Sequence, residues 1–124
     1  MRARKLWLCL PPAVLCVIDQ SVTLWWQPAA YWRGDYAMAR EMNPHYGWLL
    51  RQHPLAFEAG VVAWIVAFSA AILWLPRRWA FACALAITFG HTWGAGGWLA
   101  GNLAMGYWAA LALCAMSAVL VVFA

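Results

Sequence analysis

Residues 55–75 read LAFEAGVVAWIVAFSAAILWL, and Pro76-Arg77-Arg78 follows at once. One helical crossing of a bilayer core of about 30 Å takes roughly 20 mostly apolar residues. This run has that length, and Glu58 is its one charge. In lipid the backbone N–H and C=O groups must be satisfied within the segment, so the run predicts a transmembrane helix ended by a basic turn. Working outward, comparable windows occur at about 79–99 after that turn, at about 107–124 after Gly101-Asn102 and Gly106, and at about 6–26 near the N-terminus. The expected architecture is all-α. It is a four-helix transmembrane bundle, one integral membrane domain over 1–124, with a long amphipathic outer loop at 27–54 between the first two spans.

Composition points the same way. Of 124 residues, 67% are hydrophobic and 10% charged, whereas a soluble domain carries about 25% charged residues to keep its surface hydrated. The bilayer is therefore the partner the chain requires. The formal charge of +4 comes from basic residues scattered between apolar runs, and without a basic patch no nucleic-acid partner is expected. Arg2, Arg4, Lys5, Arg77 and Arg78 fall on one side of a four-span arrangement, and Arg33, Arg40 and Arg51 on the other. Because positive loops stay cytoplasmic, this bias places both termini in the cytoplasm and the chain in the cytoplasmic (inner) membrane. Trp7, Trp74 and Trp79 then mark the inner interface, and Trp25, Trp26, Trp98, Tyr107 and Trp108 the outer one.

The basic start and the apolar Leu6–Leu10 stretch also resemble the opening of a cleaved signal peptide. No small-x-small cleavage site follows, however, and Pro11-Pro12, Asp19 and Gln20 come instead before the apolar run resumes, so the segment reads as the first span. The four cysteines all fall inside proposed spans without C-x-x-C or His spacing, which points to neither a disulfide scaffold nor a metal framework. Helix contacts in lipid rely on small residues. Candidate ridges are Ala59, Ala63, Ala67 and Ala71 on the second span, Ala82, Ala86, Gly90 and Gly94 on the third, and Ala110, Cys114 and Ala118 on the fourth. The tight 76–78 turn is expected to zip the second and third spans together. In the outer loop, Asp35 is expected to cap a helix from Tyr36 to Met42 that Asn43-Pro44 stops. Tyr46, Leu49 and Leu50 form the apolar side of a second piece, Tyr46 to Gln52.

Ionisable groups inside a span cost about 2.5–3.5 kcal/mol at the centre and so face the bundle interior. Asp19 lies about 10 Å inside Trp26, Glu58 about 5 Å below the start of its span, and His91 about 12 Å below Leu99, all in the outer half. Thr23 shares the face of Asp19, and Thr88 and Thr92 flank His91. These residues are expected to form one polar cluster, for which three readings are open. It holds the bundle together by hydrogen bonds. It binds a proton or cation, His91 titrating beside Asp19. Or it holds a divalent metal ion for an intramembrane hydrolase, with Asp19, His91, Glu58 and Glu41 as candidate ligands. No H-E-x-x-H motif supports the last reading, and a non-enzymatic protein is expected. No haem, flavin or nucleotide motif is present, so no cofactor is expected beyond that alternative ion. A second class is a structural or assembly subunit, in a homo-oligomer or a larger membrane complex, docking through an exposed ridge and a Trp-rich loop.

Asp19-x-x-x-Thr23 late in the first span, followed by Glu41-Met42-Asn43-Pro44, Leu49-Leu50 and Pro54-Leu55-Ala56-Phe57, resembles a family of small prokaryotic multi-span membrane proteins that carry a domain of unknown function. In that family an Asp…Thr pair precedes a Glu-x-Asn-Pro loop. The resemblance covers roughly 15–60, and the 17 residues between Thr23 and Glu41, rich in Trp and Tyr, depart from it by their length. It implies a multi-span membrane protein and names Asp19, Thr23, Glu41, Asn43 and Pro44 as the positions of interest, without implying an activity. Physically, the Glu41 carboxylate and the Asn43 amide can fold back over the bundle mouth near Asp19, or serve as a local cap of the loop.

Overall fold

The computed structural model describes residues 2–124, with side chains from Lys5 onward, and is all-helical among these residues. Helix α1 (Arg2–Trp25) runs unbroken through Pro11 and Pro12. Both prolines are buried, which fits a helix whose freed carbonyls are sheltered by neighbours and not by water. A single turn, α2 (Ala29–Trp32), and a 3₁₀ turn at Tyr36–Met38 follow. Then come α3 (Pro44–Gln52), α4 (Pro54–Trp74), α5 (Arg77–Asn102) and α6 (Gly106–Phe123). Three helical segments are long and apolar enough to cross a membrane: Lys5–Trp25, Pro54–Trp74 and Gly106–Phe123. These are the counterparts of the windows 6–26, 55–75 and 107–124. Window 79–99 lies inside α5, which at 26 residues is the longest helix but is not among those three. Its glycines at 90, 94, 96, 97 and 101, together with His91 and Asn102, dilute its apolar character.

Lys5 ties two ends of the bundle. Its Nζ donates to the carbonyl oxygens of Leu73 at 3.1 Å and Leu75 at 2.7 Å. A cation there satisfies carbonyls that a helix end leaves unpaired and lies at the negative pole of the α4 dipole. The start of α1 and the Pro76-Arg77-Arg78 turn therefore share one end of the molecule.

Helix α5 touches α1, α4 and α6, and its principal neighbours are α1 and α6. The 76–78 turn thus does not make α4 and α5 each other's main partner. The expected small-residue ridges form the contacts only in part: Gly94 lies against α1 and Ala110 against Gly96, while most of the other members face away. On α4 the buried side chains are Phe57, Val61, Phe68 and Ile72, while Ala59, Ala63 and Ala67 are exposed. On α5 the buried stripe is Ala80, Ala84, Thr88, Thr92 and Ala95; Ala82, Ala86 and Gly90 face away from it. On α6, Gly106, Leu113 and Ser117 are buried, and Cys114 and Ala118 are exposed. Two residues of offset turn a helix by about 200°, so equally regular ridges two positions apart lie on nearly opposite faces. Alanine is frequent enough here that spacing alone did not distinguish them.

The 27–54 segment is pinned by Gln27, which is buried. Its Nε2 donates to the carbonyls of Thr23 (2.9 Å) and Arg40 (2.7 Å), and its Oε1 accepts from Arg40 N–H at 2.8 Å. One side chain thereby joins two positions 13 residues apart. Around it Tyr31 is fully buried and packs edge-on against Trp32 and Tyr36. Asp35 makes no side-chain cap, and the expected Tyr36–Met42 helix is only the 3₁₀ turn. Asn43-Pro44 starts a helix where a stop was expected. The Asn43 side chain accepts from the N–H groups of His45 and Tyr46 at 3.0 and 3.4 Å, and Pro44 occupies the first helical position. There a missing N–H costs nothing. Helix α3 then lies on α4, with Leu50 buried and Leu49 packed over Gly60.

Candidate functional site

The floor, walls and mouth of one open cleft come from four parts of the chain. Cys16, Asp19, Gln20 and Thr23 of α1 form the floor; Phe57, Val61 and Trp64 of α4 form one wall. The other wall is the α5 face from Ala86 to Trp98, and residues 40–43 with His45 and Tyr46 border the mouth. Its volume is about 950 Å³. Helix α1 packs more extensively on α5 than α4 does, and the cleft is lined by all three.

At its centre three side chains form a chain of hydrogen bonds. His91 Nδ1 is 2.9 Å from Asp19 Oδ2, and Trp64 Nε1 donates to His91 Nε2 at 3.2 Å. An indole N–H only donates, so Nε2 is the acceptor and carries no hydrogen. The remaining ring proton therefore sits on Nδ1 and is donated to Asp19. Gly94 completes the geometry: a Cβ at that position would stand 2.7 Å from Asp19 Oδ1, so only glycine lets α5 approach the carboxylate this closely.

The residues expected to cluster separate into three places. Asp19, Thr23 and His91 come together, and Glu41 and Asn43 of the loop line the same cleft, with Pro44 next to them at the start of α3. Glu58 does not join them. It follows the buried Phe57, and the roughly 100° turn per residue carries it to the exposed face of α4. Thr88 and Thr92 are buried on another side of α5, where Thr92 Oγ1 lies 2.8 Å from Ser117 Oγ of α6. Those hydroxyls also reach Thr88 O and Leu113 O, at 2.8 and 2.7 Å. They join helices and lie outside the cleft lining. Among the described residues, no three His, Cys, Asp or Glu side chains converge as a metal ligand set. Asp19 and His91 are a pair of potential donors without a third.

At the mouth, Glu41 Oε1 accepts from Asn43 N–H at 2.8 Å. Burial raises the Glu41 carboxyl pKa above its ordinary value, the nearby Asp19 charge raises it further, and the Asn43 and Met42 N–H groups partly oppose this. Burial likewise pushes the Tyr46 phenol up to about 12. Trp64 and Gln27 were not singled out by sequence. An indole can be recognised as a His partner only once α4 and α5 are placed, and Gln27 was inconspicuous at the end of an apolar run. Compared with known protein families, curated proteins and solved structures, the chain matches none.

Proposed function

We propose that the chain is an integral inner-membrane protein of four spans, α1, α4, α5 and α6, with both termini cytoplasmic, and that its outer-half cleft is a non-enzymatic proton- or cation-binding site built on Asp19 and His91. The observation that carries this reading is the relay Trp64–His91–Asp19 at the cleft surface. Isolated charges inside a membrane are costly, and those that occur mark proton and ion sites when they face a polar cavity with a partner. Asp19 and His91 retain 21% and 14% side-chain exposure, enough for a proton to be exchanged with the cleft. A proton arriving at the pair has two destinations, the free Asp19 Oδ1 or His91 Nε2. The second requires Trp64 to release its bond, so protonation there is communicated to α4. The five basic residues of the first and third polar segments, with Lys5 at the same end as the 76–78 turn, support the inward orientation.

The test is infrared spectroscopy of the Asp19 carboxylate with nitrogen NMR of His91, across pH, on the purified full chain in lipid. The expected result is that both signals move through the same transition, because coupled groups titrate as a pair, and that Asp19→Asn abolishes the carboxylate band. A pair that stays unchanged across the pH range would overturn the reading in favour of hydrogen-bonded structure alone.

A further inference from the structure

The cleft is far larger than a proton or bare cation needs. About 950 Å³ lies near the top of the roughly 300–1,000 Å³ typical of small-molecule sites. It is also elongated. Ala86 to Trp98 spans about 18 Å at a helical rise of about 1.5 Å per residue, close to the roughly 15 Å of hydrocarbon in one leaflet. Gly90 and Gly97 contribute to this wall, and a Cβ at either would meet nothing within 4 Å. These glycines therefore face open cleft and are not needed for any contact inside the chain.

The polar end has a sign. Asp19 and Glu41 both line it, and among the described residues neither carboxylate is ion-paired with a Lys or Arg. Arg40 lines the same mouth, exposed, and offsets part of this charge. Trp64, Trp93 and Trp98 also line the cleft, and indole faces attract organic cations. Carboxylates and indoles around Gly94, on an elongated wall that Gly90 and Gly97 open between Ile87, Trp93 and Trp98, match a molecule with a cationic head and an apolar tail.

We infer that the cleft binds an amphipathic ammonium, its head held between Asp19 and Glu41 and its apolar chain along the Gly90–Gly97 wall. The inference rests on the reading above in one respect: it takes Asp19, held by His91 through Oδ2, as the group that meets the cation. The head is either that of a membrane lipid or that of a free single-chain amine, which share this chemistry.

The experiment is native mass spectrometry of the full chain released from dodecyl maltoside, titrated with dodecylammonium, dodecanol, methylammonium, phosphatidylethanolamine and phosphatidylglycerol. Dodecylammonium is expected to bind at one per chain, about tenfold more tightly than either dodecanol or methylammonium, since neither supplies both head and tail. Glu41→Gln and Gly97→Leu are each expected to weaken it by about tenfold or more while the helical circular dichroism is kept, Gly97→Leu by filling the groove. Retention of phosphatidylethanolamine over phosphatidylglycerol assigns the head to a lipid, and retention of dodecylammonium alone assigns it to a free amine. Equal binding of dodecanol and dodecylammonium, or binding indifferent to both substitutions, would overturn the inference. The titration of Asp19 and His91 needs no amphiphile. Failure there with Glu41- and Gly97-dependent ammonium binding would remove the proton site and leave the ammonium site standing.

Discussion

His91 and Asp19, 72 residues apart in sequence, meet through a 2.9 Å contact between Nδ1 and Oδ2, and Trp64 fixes which nitrogen bears the proton. The arrangement makes Trp64 a determinant of the tautomer and more than an exposed aromatic. Trp64→Phe keeps the ring packing on Phe68 but deletes the donor. The expected outcome in nitrogen NMR is loss of the fixed Nδ1–H form. A stability loss of about 0.5–1.5 kcal/mol, the usual net worth of one hydrogen bond, should accompany it. An unchanged His91 spectrum would show that the indole does not control the ring.

Glu41, in the segment between α1 and α4, predicts a pH dependence. Its carboxyl pKa is raised in the folded chain, chiefly by burial. A raised value means that the protonated form is favoured on folding. The associated stability is full below the ordinary carboxyl value of 4.5 and is lost as pH rises through the higher folded value. Glu41→Gln keeps an oxygen for the Asn43 N–H yet cannot ionise. Melting curves in detergent should coincide for the two proteins at the acid end, and the wild type should fall below the variant as pH rises through that window. Coincident curves throughout would remove Glu41 from the pH response.

The loop clamp gives a local prediction. Gln27→Leu fills a similar volume but removes both hydrogen bonds to Arg40 and the one to Thr23 O. The Arg40 amide is expected to exchange hydrogen much faster, and the mouth of the cleft to loosen, at a cost of about 1–3 kcal/mol. Hydrogen exchange by mass spectrometry on peptides covering 36–46 reads this directly. Protection equal to wild type would show that the loop is held by the Tyr31 cluster alone.

How much of this was legible in the sequence follows from the length scale of each signal. Apolar runs of about 20 residues announce themselves, so α1, α4 and α6 were readable from composition. The cost of burying charge singled out Asp19 and His91 in the same way. Periodicity fixed less, because Ala59–Ala63–Ala67 and Phe57–Val61–Phe68–Ile72 are both helical stripes of α4 and only packing selects the second. Asn43-Pro44 begins a helix although its local pattern equally suits an end: proline disfavours helix in the residue before it and favours it at the first position after a cap, so the pair marks a boundary without giving its direction. Glu58 lies at the depth of the cluster but on another face of α4, because depth says nothing about which face of a helix a side chain takes. The partners supplied by Trp64 and Gln27 depend on contacts between segments that no local pattern encodes.

Two glycines of α5 separate the reasons a helix keeps glycine. At Gly90 a Cβ would meet nothing within 4 Å. Gly90→Ala should therefore be neutral or stabilising by up to about 1 kcal/mol, the intrinsic helix preference of alanine over glycine. At Gly94 the added methyl would stand 2.7 Å from Asp19 Oδ1 and 2.8 Å from Oδ2, and the carboxylate is short and already held by His91. It must rotate away or α1 must move. Gly94→Ala is thus expected to break the Asp19–His91 contact, which infrared and nitrogen NMR would report as a carboxylate and an imidazole in altered hydrogen bonding, even where the gain in helix preference conceals the loss in a melting curve. If Gly94→Ala leaves both spectra unchanged, α1 and α5 lie farther apart than this geometry requires, and the close approach that defines the site is lost with it.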